Sequence, residues 1–317
     1  MEVETFIISN YSIRNSTQLI SSSTNQEWRE RVHTSILFGF FAFCAMILNL
    51  LPIVLTFFTD IRKTKVNTMI ACISSSGVLT SILFLSGQIP YILYREQFDP
   101  RGCQWLAFFF FTTVCFDFLF PPFISINRYI SLYHTSCYDR VYTTRNIFLM
   151  FVGCWAFCTV VPLIFTLCSK AMFDEDNQHC CIVVKESHIG WKIFYWLAII
   201  GPLIGFSDGT MAFCNYKIYK LLSDHNAVKT LKQNVVHQNR ELLYFLIADM
   251  IFPIVFHTTY HTAKFISVDR ADLAQKRLFL CLFFMNSCIR GLITLTMLRP
   301  YRRAMLSCCK ETQIISL

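Results

Sequence analysis

Four ionisable side chains stand inside long apolar stretches of this 317-residue chain: Asp117, Asp208, Asp249 and Arg290. A lone charge at the middle of a bilayer costs about 2.5–3.5 kcal/mol on insertion scales, so such groups turn inward and pair. Their depth follows from helical rise. Asp117 lies 11 residues from Arg128, while Asp249 and Arg290 each lie 9 residues from Arg240 and Arg299 at the ends of their stretches. At 1.5 Å per residue these offsets are about 16 Å and about 13 Å, close to one common depth. The chemistry expected is a buried ion pair between Arg290 and Asp117, with Asp249 as the competing acceptor. His257 and His261 are a second candidate, since i,i+4 spacing puts two imidazoles on one helix face. No Glu stands beside His257 and no third ligand is evident, so a polar contact to a ligand is expected rather than a metal site.

The elements that position these residues read as membrane spans. Hydrophobic residues make up 54% of the chain and charged ones 15%, and 32 residues are phenylalanine, which excludes an ordinary soluble domain. Seven apolar stretches are long enough to cross a bilayer: 34–58, 67–91, 103–134, 146–167, 189–222, 240–265 and 278–298. In hydrocarbon every backbone amide needs an internal partner, so each must be helical. The expected fold is therefore all-α, a seven-transmembrane helix bundle with a short C-terminal interfacial helix from Tyr301. Residues 1–33 are expected outside as a glycosylated segment, 34–299 as the bundle, and 300–317 as a cytoplasmic helix and tail. Pro121-Pro122 predicts a kink near Phe118, because each proline removes a donor and clashes with the preceding turn.

Charge gives the orientation. With the N-terminus outside, 15 Lys+Arg and 5 Asp+Glu fall on the cytosolic side against 12 of each sign outside; Arg290 and the three buried aspartates complete the 28 and 20. That bias predicts an extracellular N-terminus. The sequons at Asn10 and Asn15 lie in the same outer segment, which lacks the apolar core of a signal peptide. The first span is then expected to act as its own insertion signal. No contiguous basic face suggests nucleic acid. Cys103, Cys180 and Cys181 fall on the oxidising side, so a disulfide from Cys103 to either Cys180 or Cys181 is expected. Cys308 and Cys309 are juxtamembrane palmitoylation candidates on the other side. Phe109, Phe110, Thr113, Trp191, Tyr195, His257, Tyr260 and His261 occupy the outer halves of spans three, five and six. Those facing inward would line an aromatic ligand cavity; those facing outward would form a lipid-contacting belt.

Cys103 followed 25 residues later by Arg128 in Asn127-Arg128-Tyr129, Asn49 in the first span, Trp155 and Pro162 in the fourth, Pro202 and Pro253, then Pro300-Tyr301-Arg302-Arg303, together resemble the rhodopsin-like superfamily of G-protein-coupled receptors. Three departures narrow that resemblance. Ile73-Ser74-Ser75-Ser76-Gly77 replaces the second-helix aspartate, Met250-Ile251-Phe252-Pro253 lacks the sixth-helix tryptophan, and Arg290-Gly291-Leu292-Ile293-Thr294 replaces Asn-Pro-x-x-Tyr. With Tyr138-Asp139-Arg140-Val141-Tyr142-Thr143, this looks like the nematode serpentine chemoreceptors of Srx type.

The resemblance implies a non-enzymatic receptor without cofactor, at the plasma membrane, by analogy in the cilium of a sensory neuron. An external small molecule would be its ligand and a heterotrimeric G protein its partner, engaged through Asn127, Arg128 and Tyr129. Asn127 stands where the family keeps an acid, so it can offer Arg128 only neutral hydrogen bonds. The Arg290 pair would fill the region where the superfamily keeps a sodium pocket. Competing classes are a seven-helix ligand-gated channel of inverted topology, a membrane enzyme or transporter using the buried carboxylates, and a receptor that has lost signalling.

Overall fold

The computed structural model describes the backbone of residues 2–59, 61, 64–94, 99–168, 173–174, 179–180, 193, 201–224, 233–258 and 273–315. Within these, the side chains of 2–25, 100, 161, 164–168, 173–174, 179, 202–204, 233–235, 257–258, 273–280, 282–284 and 308–315 lie outside the description. Residues 2–33 contain neither proline nor glycine, and helix α1 runs from Glu2 to Phe58. The expected first span is thus the second part of a longer helix. Helix α2 (Lys65–Leu83) passes through a π turn at Phe84–Gln88, beside Pro90, into α3 (Ile89–Leu93). The third rod is two helices, α4 (Pro100–Leu119) and α5 (Pro121–Tyr133). After α6 (Thr135–Val141) comes α7 (Thr144–Cys168), then a two-residue antiparallel pair, β1 (Phe173–Asp174) and β2 (His179–Cys180). The remaining helices are α8 (Gly201–Ser223), α9 (Gln233–Pro253) with a π turn at Ile254–Thr258, α10 (Leu273–Met297) and α11 (Arg299–Ile315).

Among the described residues these helices make seven rods, α1, α2–α3, α4–α5, α7, α8, α9 and α10, with α6 a connector and α11 the C-terminal helix. Gln26–Phe58, Lys65–Leu93 and Arg101–Tyr133 are each long and apolar enough to cross a membrane; α6 and α7 meet at a bend of 67°. The kink expected near Phe118 is a break at Phe120 between α4 and α5, and the expected C-terminal helix runs 17 residues, from Arg299 to Ile315. Pro300 at its first turn suits a helix start, where the missing N–H would be unused.

The rods close into a ring: α1 packs on α2 and α10, α4 on α2 and α7, α5 on α8, and α9 on α8 and α10. Phe116 lies between Phe120 and Trp155, its ring centroid 4.9 Å from one and 4.6 Å from the other, which ties the third rod to the fourth. Close backbone approach ties the first, second and seventh. A Cβ on Gly291 would stand 2.6 Å from the Leu48 carbonyl oxygen, and one on Gly77 would stand 2.7 Å from Asn49 Cγ. In that gap Asn49 Nδ2 donates to Ser287 O at 3.0 Å. Tyr301 anchors α11: its hydroxyl lies 3.0 Å from Thr56 Oγ1 and donates to Asn67 O at 3.3 Å. Burial pushes this phenol above its ordinary titration range.

Filling a backbone contact costs about 1–3 kcal/mol when neighbours cannot yield. Gly291→Ala is therefore expected to lower the melting temperature of the solubilised protein. Gly153→Ala, where a Cβ meets nothing within 4 Å, should leave it unchanged in the same scan.

Candidate functional site

At the centre of the bundle Arg290, 3% exposed, lies between two carboxylates. Its Nη1 is 3.0 Å from Asp117 Oδ1 and its Nε donates to Asp249 Oδ1 at 2.7 Å. Asp117 and Asp249, the two competing acceptors that the sequence offers the arginine, are both held at once. A guanidinium can do this because it presents several N–H donors in one plane, pointing in different directions. Ser76 Oγ donates to Asp117 Oδ1 as well, so the cluster draws on α2, α4, α9 and α10. Asp249 Oδ2 is sealed from solvent without a hydrogen-bond partner among the described residues, as is Asp208 Oδ2 on α8.

At one end of the third rod, Cys103 is disulfide-bonded to Cys180. Cys181, the alternative, lies outside the described residues. The bridged strand is gripped a second time. Gln88, fully buried, accepts from Cys180 N and donates to Cys180 O, both at 2.8 Å. Its side-chain amide pairs with β2 as another strand would.

At the other end stands the triplet. Asn127 is fully buried, and its Nδ2 reaches the Tyr138 hydroxyl only at 3.5 Å. Arg128 is partly buried with Nε unpartnered, and among the described residues no carboxylate lies within ion-pair distance of it. Tyr129 stacks on Tyr133, with ring centroids 4.9 Å apart. Nearby, Lys65 pairs with Asp139 at 2.6 Å. A second group of charge contacts at this end joins α9 to α11. Glu241 on α9 pairs with Arg299 at 2.8 Å and Arg302 at 3.1 Å on the C-terminal side, with His237 at 3.6 Å.

This arrangement matches a known pattern along most of the chain. The profile of the 7 transmembrane receptor (rhodopsin family) matches residues 48–290. The chain belongs to that family. It is a multi-pass membrane protein. The G-protein coupled receptor moody of Drosophila pseudoobscura pseudoobscura is 23% identical over 205 residues, covering 62% of this receptor and 29% of the relative. Its Drosophila melanogaster counterpart is also 23% identical over 205 residues, with 62% and 30% covered. The human C-C chemokine receptor type 8 is 22% identical over 208 residues, 62% of this receptor and 56% of its own length. The receptor thus spans less than a third of the moody proteins.

The aromatic candidates for a ligand cavity separate by face. Phe110 and Thr113 are buried in the bundle at 7% and 1% exposure, whereas Phe109 is 48% exposed beside Trp105. Phe109 therefore faces outward, as a belt residue does, and leaves the candidate cavity. Trp191, Tyr195, Tyr260 and His261 lie outside the described residues, as does the side chain of His257. The side chains of Asn10, Asn15, Cys308 and Cys309 also lie outside the description. Sequence reasoning missed Ser76, Gln88 and Glu241. Ser76 stands in the run that replaces the second-helix aspartate, and Gln88 is a lone amide in an apolar stretch, so both carried a weak signal.

Removing one partner of a buried ion pair costs about 3–5 kcal/mol because the other charge stays buried. Arg290→Gln is expected to cut surface labelling of a tagged receptor severely. Adding Asp249→Asn to that variant should recover part of it by flow cytometry. At the Arg128 end, Glu241→Gln should make amide hydrogen exchange several-fold faster across residues 299–307, without speeding it in α2.

Proposed function

We propose that this receptor binds an external small molecule at its disulfide end and activates a heterotrimeric G protein at its Arg128 end. The observation that carries this reading is the third rod. One end is fixed by the Cys103–Cys180 bridge and the other presents Arg128 with no carboxylate partner among the described residues. A guanidinium not committed to an internal ion pair is available to a partner's acceptors. Asn127 and Tyr129 hold the flanking contacts, and Lys217 and Lys220 add positive charge near the same end.

The small-molecule, chemosensory reading follows from the resemblance to nematode serpentine receptors and from the replaced second-, sixth- and seventh-helix motifs. Phe110 and Thr113 would contribute to the cavity from the third rod, joined by Trp191, Tyr195, His257, Tyr260 and His261. Residues 1–33 would lie outside, glycosylated at Asn10 and Asn15. Residues 34–299 form the receptor domain, and 300–317 the cytoplasmic end, with Cys308 and Cys309 as acylation sites. The plasma membrane, in the cilium of a sensory neuron, is the proposed location. A ligand activates only through its differential affinity for the two states.

Expression with and without a promiscuous Gα subunit, with calcium imaging across volatile and water-soluble compounds, tests the proposal. The expected result is a response to some compounds that requires the added Gα. A response of equal size without it, carried by inward current, would instead identify a ligand-gated channel.

A further inference from the structure

The two prolines of the third rod open two carbonyls. In an unbroken α-helix the N–H of residue 121 bonds the carbonyl of residue 117, and that of 122 bonds 118. Proline has no N–H, so the ladder bonds from residues 121 and 122 to Asp117 O and Phe118 O cannot form. A backbone carbonyl left unpaired in hydrocarbon is costly, and helices that contain proline persist there when neighbouring side chains supply the bond.

Here each opened carbonyl has a donor from a different rod. Arg290 Nη2 on α10 reaches Asp117 O at 3.4 Å. Ser207 Oγ on α8 donates to Phe118 O at 2.5 Å. Ser207 is 2% exposed, so water does not compete for the bond. The backbone ladder itself is interrupted only locally: Phe120 N still donates to Phe116 O at 3.0 Å, and Phe123 N then turns to Phe120 O, also at 3.0 Å.

The break also divides the packing. α4, which bears the disulfide, lies against α2 and α7, while α5, which bears Asn127, Arg128 and Tyr129, lies chiefly against α8. Ser207 sits on α8 and bonds the last turn of α4, so it joins the two halves at the seam.

We propose that Ser207 is a positioning residue. It supplies the donor that Pro122 lacks, as Arg290 does for Pro121, and so sets the angle at which α5 carries Arg128 away from α4. Replacing Pro122 restores an N–H that can reach Phe118 O, and the hydroxyl then becomes redundant. This dependence on the proline distinguishes a spliced helix from a serine that merely fills space.

The test is a double-mutant cycle on the purified full-length receptor, read by thermal melting and by hydrogen exchange. Ser207→Ala should lower the melting temperature by about 2–4 °C, the shift a single lost hydrogen bond produces in a chain of a few hundred residues. Ser207→Thr, which keeps the hydroxyl, should restore most of it. In a Pro122→Ala background Ser207→Ala should cost less than half as much. An equal loss in both backgrounds, or no loss in the parent, overturns the proposal. Hydrogen exchange needs no proline variant: Ser207→Ala should speed exchange in residues 121–133 and leave 104–115 as in the parent. Uniform acceleration along both halves would assign Ser207 to general packing and would also overturn it.

Discussion

A guanidinium at the middle of an apolar bundle cannot shed its proton, so everything around Arg290 has to accept its charge and its hydrogen bonds. Two carboxylates from separate rods do so, at 3.0 Å and 2.7 Å. That single requirement fixes the rotation of α4, α9 and α10 about their own axes, because any other rotation would turn a charge into lipid. Ser76 extends the same constraint to α2. Apolar packing alone would not set it, since a phenylalanine-rich rod finds comparable contacts at several rotations.

Around this centre the third rod works as a jointed beam. Its disulfide end is held twice, by the covalent bond at Cys180 and by the amide of Gln88. Its middle is broken by two prolines and closed by side chains from α8 and α10. Its far end carries Arg128 without a carboxylate restraint among the described residues, while Glu241 takes Arg299 and Arg302 of α11. Constraint therefore falls from one end of the rod to the other, which suits an element that must move at its triplet end when its disulfide end is disturbed.

Much of the architecture was legible because the bilayer imposes lengths and inward-facing charges. The spans at Gln26–Phe58, Lys65–Leu93 and Arg101–Tyr133 follow from apolar runs, and the meeting of Asp117, Asp249 and Arg290 follows from counting residues. The diproline announced the break, which falls at Phe120, close to the expected position near Phe118. What could not be read is set by rotation and by partners remote in sequence. A carboxylate pair looks like a competition until the plane of the guanidinium is known. Phe109 and Phe110 are adjacent in sequence and face opposite ways. Ser207, Gln88 and Glu241 gain meaning only from a carbonyl, a strand and two arginines far along the chain.

In the proposed function, Arg128 engages the G protein from the end of this beam. Its most direct test is nucleotide exchange on a purified heterotrimer, catalysed by the receptor in lipid nanodiscs with an activating compound. Arg128→Ala is expected to abolish exchange while ligand affinity and the melting temperature stay near those of the parent. Exchange at the parental rate in that variant would contradict it and move the coupling surface away from the third rod.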